Sequence, residues 1–174
     1  MKTLVIVSHP YFSQSTAIKS LQNAALDSEN VTVRNLESLY GDDIGSIDVA
    51  AEQNACIGMD RIVFMFPIHW FNLTPMLKAY LNQVWTYGWA FGPEGKELVG
   101  KEMLVVTTAG ATEHTYSQQG LVQSTMEEVL TPMKASALYV GMSYAKPLYF
   151  YEAMGATPET LANFKAHLAA RLNE

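Results

Sequence analysis

Four unbroken runs of apolar residues, each as long as a β-strand, occupy residues 4–7, 62–66, 103–106 and 137–140. Every run ends at polar or turn-forming residues, and apolar runs without alternation are typical of strands that are covered on both faces. Residues 31–36 mix polar with apolar side chains, as an edge strand with one wet face would. The sequence therefore predicts five strands.

Helical patterns fill the intervals between these strands. Thr74 can cap a helix and Pro75 can take its first position, after which apolar residues follow at helical spacing: Leu77, Tyr80, Leu81, Val84 and Trp85. Thr157 and Pro158 repeat this start signal before a closing helix with apolar positions at Leu161, Phe164, Leu168 and Leu172. Weaker helical patterns lie near residues 15–27, 46–58 and 118–131.

Strand and helix thus alternate along the whole chain, which predicts an α/β fold with a parallel sheet, right-handed crossovers and helices on both faces. A length of 174 residues with 49% hydrophobic and 16% charged residues fits one domain with an ample core, residues 1–174. We find no repeat, linker or low-complexity tract that would divide it.

Charge and cysteine content exclude several classes of function. The formal net charge is −6 at pH 7, so no nucleic-acid partner is expected. No apolar run reaches the length of a membrane helix, and the first run is too short for a signal peptide, so we expect a soluble, cytoplasmic protein without membrane insertion. Cys56 is the only cysteine and the four histidines form no short ligand pattern, which gives no support for a metal site.

In an open parallel sheet, ligands bind beyond the carboxyl ends of the strands, where the strand order reverses. The first loop of this kind, residues 8–16, is rich in hydroxyl side chains and leads into a helix, a pattern that indicates a phosphate site at the helix N-terminus. It contains neither a GxGxxG fingerprint nor a P-loop motif. Helix capping by Ser13 or Ser15 alone is the alternative interpretation.

The second loop, residues 66–75, places Trp70 and Phe71 directly after a buried strand. Consecutive aromatic residues left in water would form a large apolar patch, so we expect them to meet a flat ligand, a partner subunit or both. The alternative is that they only cover the end of the sheet. Trp85 is predicted to be a core residue. The glycine-rich segment 88–95, which contains Trp89 and Phe91, is predicted to be a long, ordered loop with a function.

The third loop, residues 107–116, begins with small residues that let a backbone approach a ligand closely. Backbone N–H groups in such a turn can point at an oxygen that gains negative charge. Glycine and threonine are also ordinary turn residues, so this loop alone does not indicate a function.

Taken in this order, the loops resemble the flavodoxin-like NAD(P)H:quinone oxidoreductase family, which includes DT-diaphorase and the ancillary proteins of glutathione-gated potassium efflux systems. The resemblance spans nearly the whole chain. It is carried by His9-Pro10-Tyr11 with Ser15, by Phe66 to Phe71 with Leu77-Lys78, by Gly88 to Gly92, and by Thr107 to Gly110 with Tyr116-Ser117. It implies a flavodoxin-like three-layer sandwich with a five-stranded parallel sheet in the order 2-1-3-4-5.

The resemblance also implies a role for each matching residue. The flavin phosphate would be held by His9, Ser15, Thr16 and the backbone of Ala17. The edge of the isoalloxazine ring would be lined by Pro67, Ile68, His69, Trp70 and Phe71, and its pyrimidine side by Thr107, Thr108, Ala109 and Gly110. Tyr116 matches the active-site tyrosine, whose hydroxyl lies near the flavin N1/O2 region. The histidine that partners this tyrosine in DT-diaphorase has no counterpart, because Val122 stands at about that position.

We therefore expect a flavin-dependent NAD(P)H oxidoreductase that passes hydride from NAD(P)H through flavin N5 to quinone-like acceptors in a ping-pong reaction. The predicted substrate pocket consists of Trp70, Phe71, Trp89 and Phe91. FMN is favoured over FAD because the chain ends soon after the fifth predicted strand and helix, and the resemblance implies a homodimer. Two alternatives are a one-electron flavodoxin carrier and a regulatory ancillary subunit of a potassium efflux transporter.

Overall fold

The computed structural model describes residues 1–174, in which strands and helices alternate as the sequence predicts. The strands are β1 (Thr3–Val7), β2 (Val31–Asn35), β3 (Arg61–Pro67), β4 (Glu102–Thr108), β5 (Ser143–Tyr144) and β6 (Leu148–Phe150). The helices are α1 (Thr16–Leu26), α2 (Leu36–Tyr40), α3 (Val49–Cys56), α4 (Pro75–Val84), α5 (Met126–Val129), α6 (Thr131–Tyr139) and α7 (Pro158–Asn173). None of these helices combines the length and apolar character needed to span a membrane.

The sheet has the strand order β2-β1-β3-β4-β5, and β6 also pairs with β4. Every pairing is parallel. The predicted order 2-1-3-4-5 is confirmed. After β1 the chain first adds β2 on one side and then returns to add β3 on the other, so the strand order reverses between β1 and β3. Ligands of open α/β sheets bind at such a switch point.

Apolar side chains of the central strands alternate between the two faces of the sheet, and both faces are buried. Leu4 and Ile6 of β1 join the core under α3, α4 and α6, whereas Val5 and Val7 join a second core under α1 and α7. Burial on both faces explains the unbroken apolar runs, because no residue of the runs 4–7, 62–66 and 103–106 meets water. Trp85 is buried in the first core, as predicted.

The prediction of a strand at residues 137–140 is wrong, because this run lies at the end of α6. Ala137 and Val140 are buried while Leu138 and Tyr139 are exposed, which is helical rather than strand burial. A four-residue apolar run cannot distinguish the two, and Thr131-Pro132 starts the helix. The chain turns at Gly141, with a φ of 80°, before β5.

The true fifth strand position is shared by β5 and β6, which sequence analysis missed because each is only two or three residues long. Pro147 separates them, and proline cannot donate to the ladder of a sheet. Two further segments differ from the prediction. Helix α2 begins at Leu36, inside the predicted strand 31–36, and the predicted helix 118–131 is replaced by an irregular segment followed by the short α5.

A buried carboxylate fastens the edge strand β2 to the helices beside it. The Glu52 side chain of α3 is fully buried and accepts three hydrogen bonds from the Arg34 guanidinium, at 3.0, 2.9 and 2.6 Å. The Tyr40 hydroxyl of α2 donates to the same carboxylate at 2.5 Å. Such bidentate, charge-assisted bonds are stronger than neutral ones, and they hold α2 and α3 against β2.

Replacing Glu52 with Gln tests this attachment. We expect the free energy of unfolding to fall by about 3 kcal/mol, the lower end for a broken buried ion pair, because the Arg34 side chain is 23% exposed. Urea denaturation measures the change. Glu94→Gln is the control, since Glu94 is exposed and makes no ion pair, and its effect is expected within about 0.5 kcal/mol. Equal stability of the two variants would contradict the assignment.

Candidate functional site

The three loops singled out by sequence follow β1, β3 and β4 and meet at one edge of the sheet. The parallel register sets Val7 opposite Met65 and Pro67 opposite Thr108, so the three strands end nearly level. The loops are also joined by backbone bonds: the Ser8 N–H donates to Met65 at 3.0 Å, and the Ile68 N–H donates to Thr108 at 2.8 Å. The candidate site therefore lies at the switch point between β1 and β3.

The first loop ends in an open helix N-terminus. Ser15 is the N-cap of α1, and its side chain accepts a hydrogen bond from the Ile18 N–H at 3.2 Å. The capping interpretation of Ser15 is thus correct, but it leaves the N–H groups of Thr16 and Ala17 without a protein acceptor. Free donors at a helix N-terminus, together with the helix dipole, favour a phosphate.

A cluster of rings connects the first loop with the second. The ring centroids of His9 and His69 are 5.6 Å apart, and Tyr11 lies 6.4 Å from His9 and 6.5 Å from His69. The Nδ1 atom of His9 accepts a hydrogen bond from the Tyr11 N–H at 2.9 Å. Burial, and then the neighbouring His69, lower the pKa of His9 to about 4, so this imidazole is neutral at neutral pH.

Behind these loops lies a buried hydrogen-bond chain that sequence analysis missed. Ser8 donates to the Glu37 carboxylate at 2.8 Å, and its hydroxyl lies 2.5 Å from that of Thr74, the N-cap of α4. Ser8 and Thr74 are fully buried. Burial raises the pKa of Glu37, partly offset by the bond from Ser8. The chain ties the first loop to the second, and no spacing in the sequence brings its three members together.

The second loop is a tight turn that presents two aromatic side chains. His69 and Asn72 exchange backbone hydrogen bonds, and the two residues between them have positive φ, 47° at Trp70 and 60° at Phe71. A two-residue turn with both φ values positive normally carries Asn and Gly, because a side chain costs free energy in this conformation. Trp70 is 92% exposed and Phe71 is 45% exposed. Backbone strain of this kind is concentrated at functional sites.

The residues predicted to lie on the pyrimidine side of the flavin differ in how much of their surface a ligand can reach. Thr107 is fully buried and its hydroxyl donates to the Phe66 carbonyl at 2.7 Å, so this side chain is already used inside the fold. Thr108 and Ala109 are also buried. Gly110 is exposed, and a Cβ built there would meet nothing within 4 Å. Among these residues, Gly110 offers the open backbone surface.

Tyr116 lies in a short 3-10 turn, residues Glu113–Tyr116, and its ring centroid is 6.0 Å from that of Phe71. Gly120 holds this turn in place, because a Cβ there would come within 1.9 Å of the His114 carbonyl oxygen. Burial raises the pKa of Tyr116, so the hydroxyl is a hydrogen-bond donor at neutral pH. The structure thus brings Phe71 and Tyr116 together, and no histidine has a ring contact with Tyr116.

Trp89 and Phe91, also predicted as pocket residues, take a different place. Phe91 contacts Tyr87 at 5.8 Å and Tyr139 at 5.9 Å between ring centroids, along a groove between α4 and α6. No ring contact links this group with Phe71 or Tyr116. Trp89 is half-buried and packs against the core of that face. A slot that combines all four predicted aromatic residues stays a prediction.

The donors and surfaces of this edge fit a flavin mononucleotide. Open N–H groups at α1 suit its phosphate, the exposed aromatic turn suits the flat ring, and Gly110 allows close approach of the backbone. No group of three His, Cys, Asp or Glu residues lies close enough together to hold a metal ion. Fold and site together define an anion- and ring-binding protein of the flavodoxin-like class.

A family model described as a flavodoxin-like fold matches residues 1–172, and the chain belongs to this family. A Bacillus subtilis (strain 168) protein named as an uncharacterized NAD(P)H oxidoreductase is 39% identical over 162 residues, which cover 93% of this chain and 81% of that protein. The family predicted from the sequence motifs is confirmed.

Solved structures extend the comparison. General stress protein 14 of Treponema denticola, crystallised in complex with FMN, is 37% identical with a TM-score of 0.88, covering 98% of this chain and 99% of that one. A thermophilic tryptophan halogenase from Streptomycin violaceusniger is 36% identical, with a TM-score of 0.94 and 98% coverage of both chains. An NADPH-quinone reductase from P. pentosaceus is 25% identical, with a TM-score of 0.89 and coverage of 98% and 97%.

The strain of the aromatic turn lowers the stability of the fold, so relieving it should raise the free energy of unfolding. The double substitution Trp70→Asn and Phe71→Gly should relax both positive φ values and raise the free energy of unfolding by about 1 kcal/mol, after the loss of the Phe71–Tyr116 contact. Urea denaturation measures the gain. Leu121→Asn is the control, since Leu121 is 89% exposed without a positive φ. A double variant less stable than the parent would show that the turn is not strained.

Proposed function

We propose that this protein is a flavin-dependent NAD(P)H oxidoreductase that holds FMN at the switch point between β1 and β3. The observation that carries the proposal is the placement of an open helix N-terminus, a strained aromatic turn and a buried tyrosine at the same edge of the sheet. The relatives named as NAD(P)H oxidoreductase and NADPH-quinone reductase, and the FMN complex of a 37% identical neighbour, support it.

The residues of the chain bind and orient the cofactor and substrates. The backbone N–H groups of Thr16 and Ala17 would hold the phosphate, and the neutral His9 of the same loop is a further candidate to line it. Trp70 and Phe71 present flat surfaces to planar groups, and Tyr116 donates a hydrogen bond where negative charge develops. When bound, FMN supplies the hydride-transfer chemistry that connects NAD(P)H with an acceptor, which the protein side chains do not supply themselves.

The acceptor class follows from the shape and polarity of the turn. Two exposed aromatic rings suit planar, apolar molecules. Quinone-like molecules have this character, in agreement with the quinone reductase among the neighbours. A one-electron carrier would have no need of a strained turn that exposes Trp70 to substrates.

Absorption spectroscopy tests the proposal. The purified protein should take up FMN and show a flavin spectrum, which anaerobic NADH or NADPH bleaches and a quinone restores. The reason is that the flavin cycles between two redox states while it stays bound. A protein that binds neither FMN nor FAD would overturn the proposal.

A matched pair of serine variants locates the phosphate. Ser15→Ala removes the N-cap and is expected to weaken FMN binding by about tenfold, while riboflavin, which lacks the phosphate, binds unchanged. Ser28→Ala is the control, because Ser28 donates to Ala24 at the other end of α1. Equal loss with FMN and riboflavin would place the phosphate elsewhere.

We also propose a homodimer that forms through the groove between α4 and α6. Its support is the resemblance together with the exposed aromatic residues on this face: Tyr87 is 71% exposed and Tyr139 is 75% exposed, on either side of Phe91. The groove has a volume of about 530 Å³. A second copy would cover this patch, since Tyr and Phe are enriched in interface cores. A transporter partner and a cytoplasmic location stay predictions of the sequence.

Tyr139→Glu tests the interface, because a carboxylate buried against a second copy would lack a partner. We expect analytical ultracentrifugation to show a dimer for the parent protein and a monomer for this variant. Leu26→Glu is the control, as Leu26 is 56% exposed on α1, at the opposite face of the sheet. A Tyr139 variant that sediments like the parent would refute this interface.

A further inference from the structure

A row of aromatic rings leads from the exposed turn into the protein behind the candidate site. It runs from Phe71 to Tyr116, Tyr151 and Tyr149, with successive ring centroids 6.0, 5.9 and 6.1 Å apart. Contacts at these distances stabilise the rings beyond their apolar burial. Tyr116 therefore has two ring neighbours, Phe71 from the turn and Tyr151 from the segment after β6.

The backbone on both sides of Tyr151 is tied to the third loop. The Ala109 N–H donates to the Phe150 carbonyl at 3.0 Å, one residue before Tyr151. The Glu152 N–H, one residue after it, donates to the Ala111 carbonyl at 3.1 Å. Tyr151 is thus held in register with the loop that leads to Tyr116, although the two tyrosines are far apart in sequence.

The hydroxyl groups of the row fall into two kinds. That of Tyr149 is buried without a hydrogen-bond partner. Those of Tyr116 and Tyr151 also bind no protein group, but they are not among the buried atoms, so they reach open space. Burial, assisted by Glu113 and by the Tyr116 hydroxyl, raises the pKa of Tyr151 to about 12, which keeps its proton available for donation at neutral pH.

We propose that Tyr151 is a positioning residue that acts through Tyr116. Its ring packs against the Tyr116 ring, and its hydroxyl, which binds no protein group, is free to donate to the Tyr116 hydroxyl when negative charge appears there. The inference rests on the proposed flavin function, because the charge in question is that of the reduced cofactor.

Tyr151→Phe removes only the hydroxyl and keeps the ring packing. We expect this variant to bind oxidised FMN like the parent and reduced FMN about tenfold more weakly, which lowers the two-electron midpoint potential by about 30 mV. Spectroscopic redox titration of the holoprotein measures this potential. Tyr149→Phe is the matched control. It removes the hydroxyl of the next ring in the row, which is buried and faces no open space, and should leave the potential unchanged.

A double-mutant cycle tests whether Tyr151 acts through Tyr116. Tyr116→Phe should lower the potential, and adding Tyr151→Phe to it should produce no further change, because the hydroxyl that Tyr151 supports is gone. If Tyr151→Phe lowers the potential equally in the parent and in the Tyr116→Phe protein, Tyr151 does not act through Tyr116. If Tyr151→Phe leaves the potential of the parent unchanged, Tyr151 has no such positioning role. After either result, the proposed flavin-dependent function still stands if the parent protein binds FMN. A parent protein that binds no flavin would refute both that function and the role of Tyr151.

Discussion

The parallel hydrogen-bond ladder through β1, β3 and β4 is the constraint on which the site depends. These strands are buried on both faces, so their backbone groups must pair with each other, and the apolar side chains admit one register. That register ends the strands at one edge, where three loops of quite different sequence become neighbours. The switch in strand order then leaves a crevice between the first and second loops.

Each loop is held by a different physical means, and this division explains how a small domain keeps a precise site. The conformation of the first loop is set by α1, which begins at its end. That of the second loop is set by the strained two-residue turn at Trp70 and Phe71. The Ser8–Glu37–Thr74 chain joins these two loops from below. The third is held from its far side by the segment after β6, through bonds to Ala109 and Ala111. Strain at Trp70 and Phe71 persists because the surrounding anchors outweigh it.

Local patterns predicted much of this architecture. The doubly buried strands were visible as apolar runs, and the caps at Ser15, Thr74 and Thr157 correctly mark helix starts. Short segments were the difficulty: residues 137–140 have strand-like composition but are helical, and Pro147 divides the last strand position into two pieces too short to recognise. In such segments tertiary packing, and not intrinsic preference, decides the conformation.

By itself, the sequence determined the parallel α/β fold, the strand order through its family resemblance, and which three loops follow the central strands at one edge of the sheet. These follow from periodicity, capping and motifs, which are local properties of the chain. Only the tertiary structure decided which loop residues are neighbours: it separates Phe91 from Phe71, uses the Thr107 hydroxyl inside the fold, and brings Tyr151 beside Tyr116. Contacts between distant residues depend on strand register and helix packing, and no local pattern contains that information.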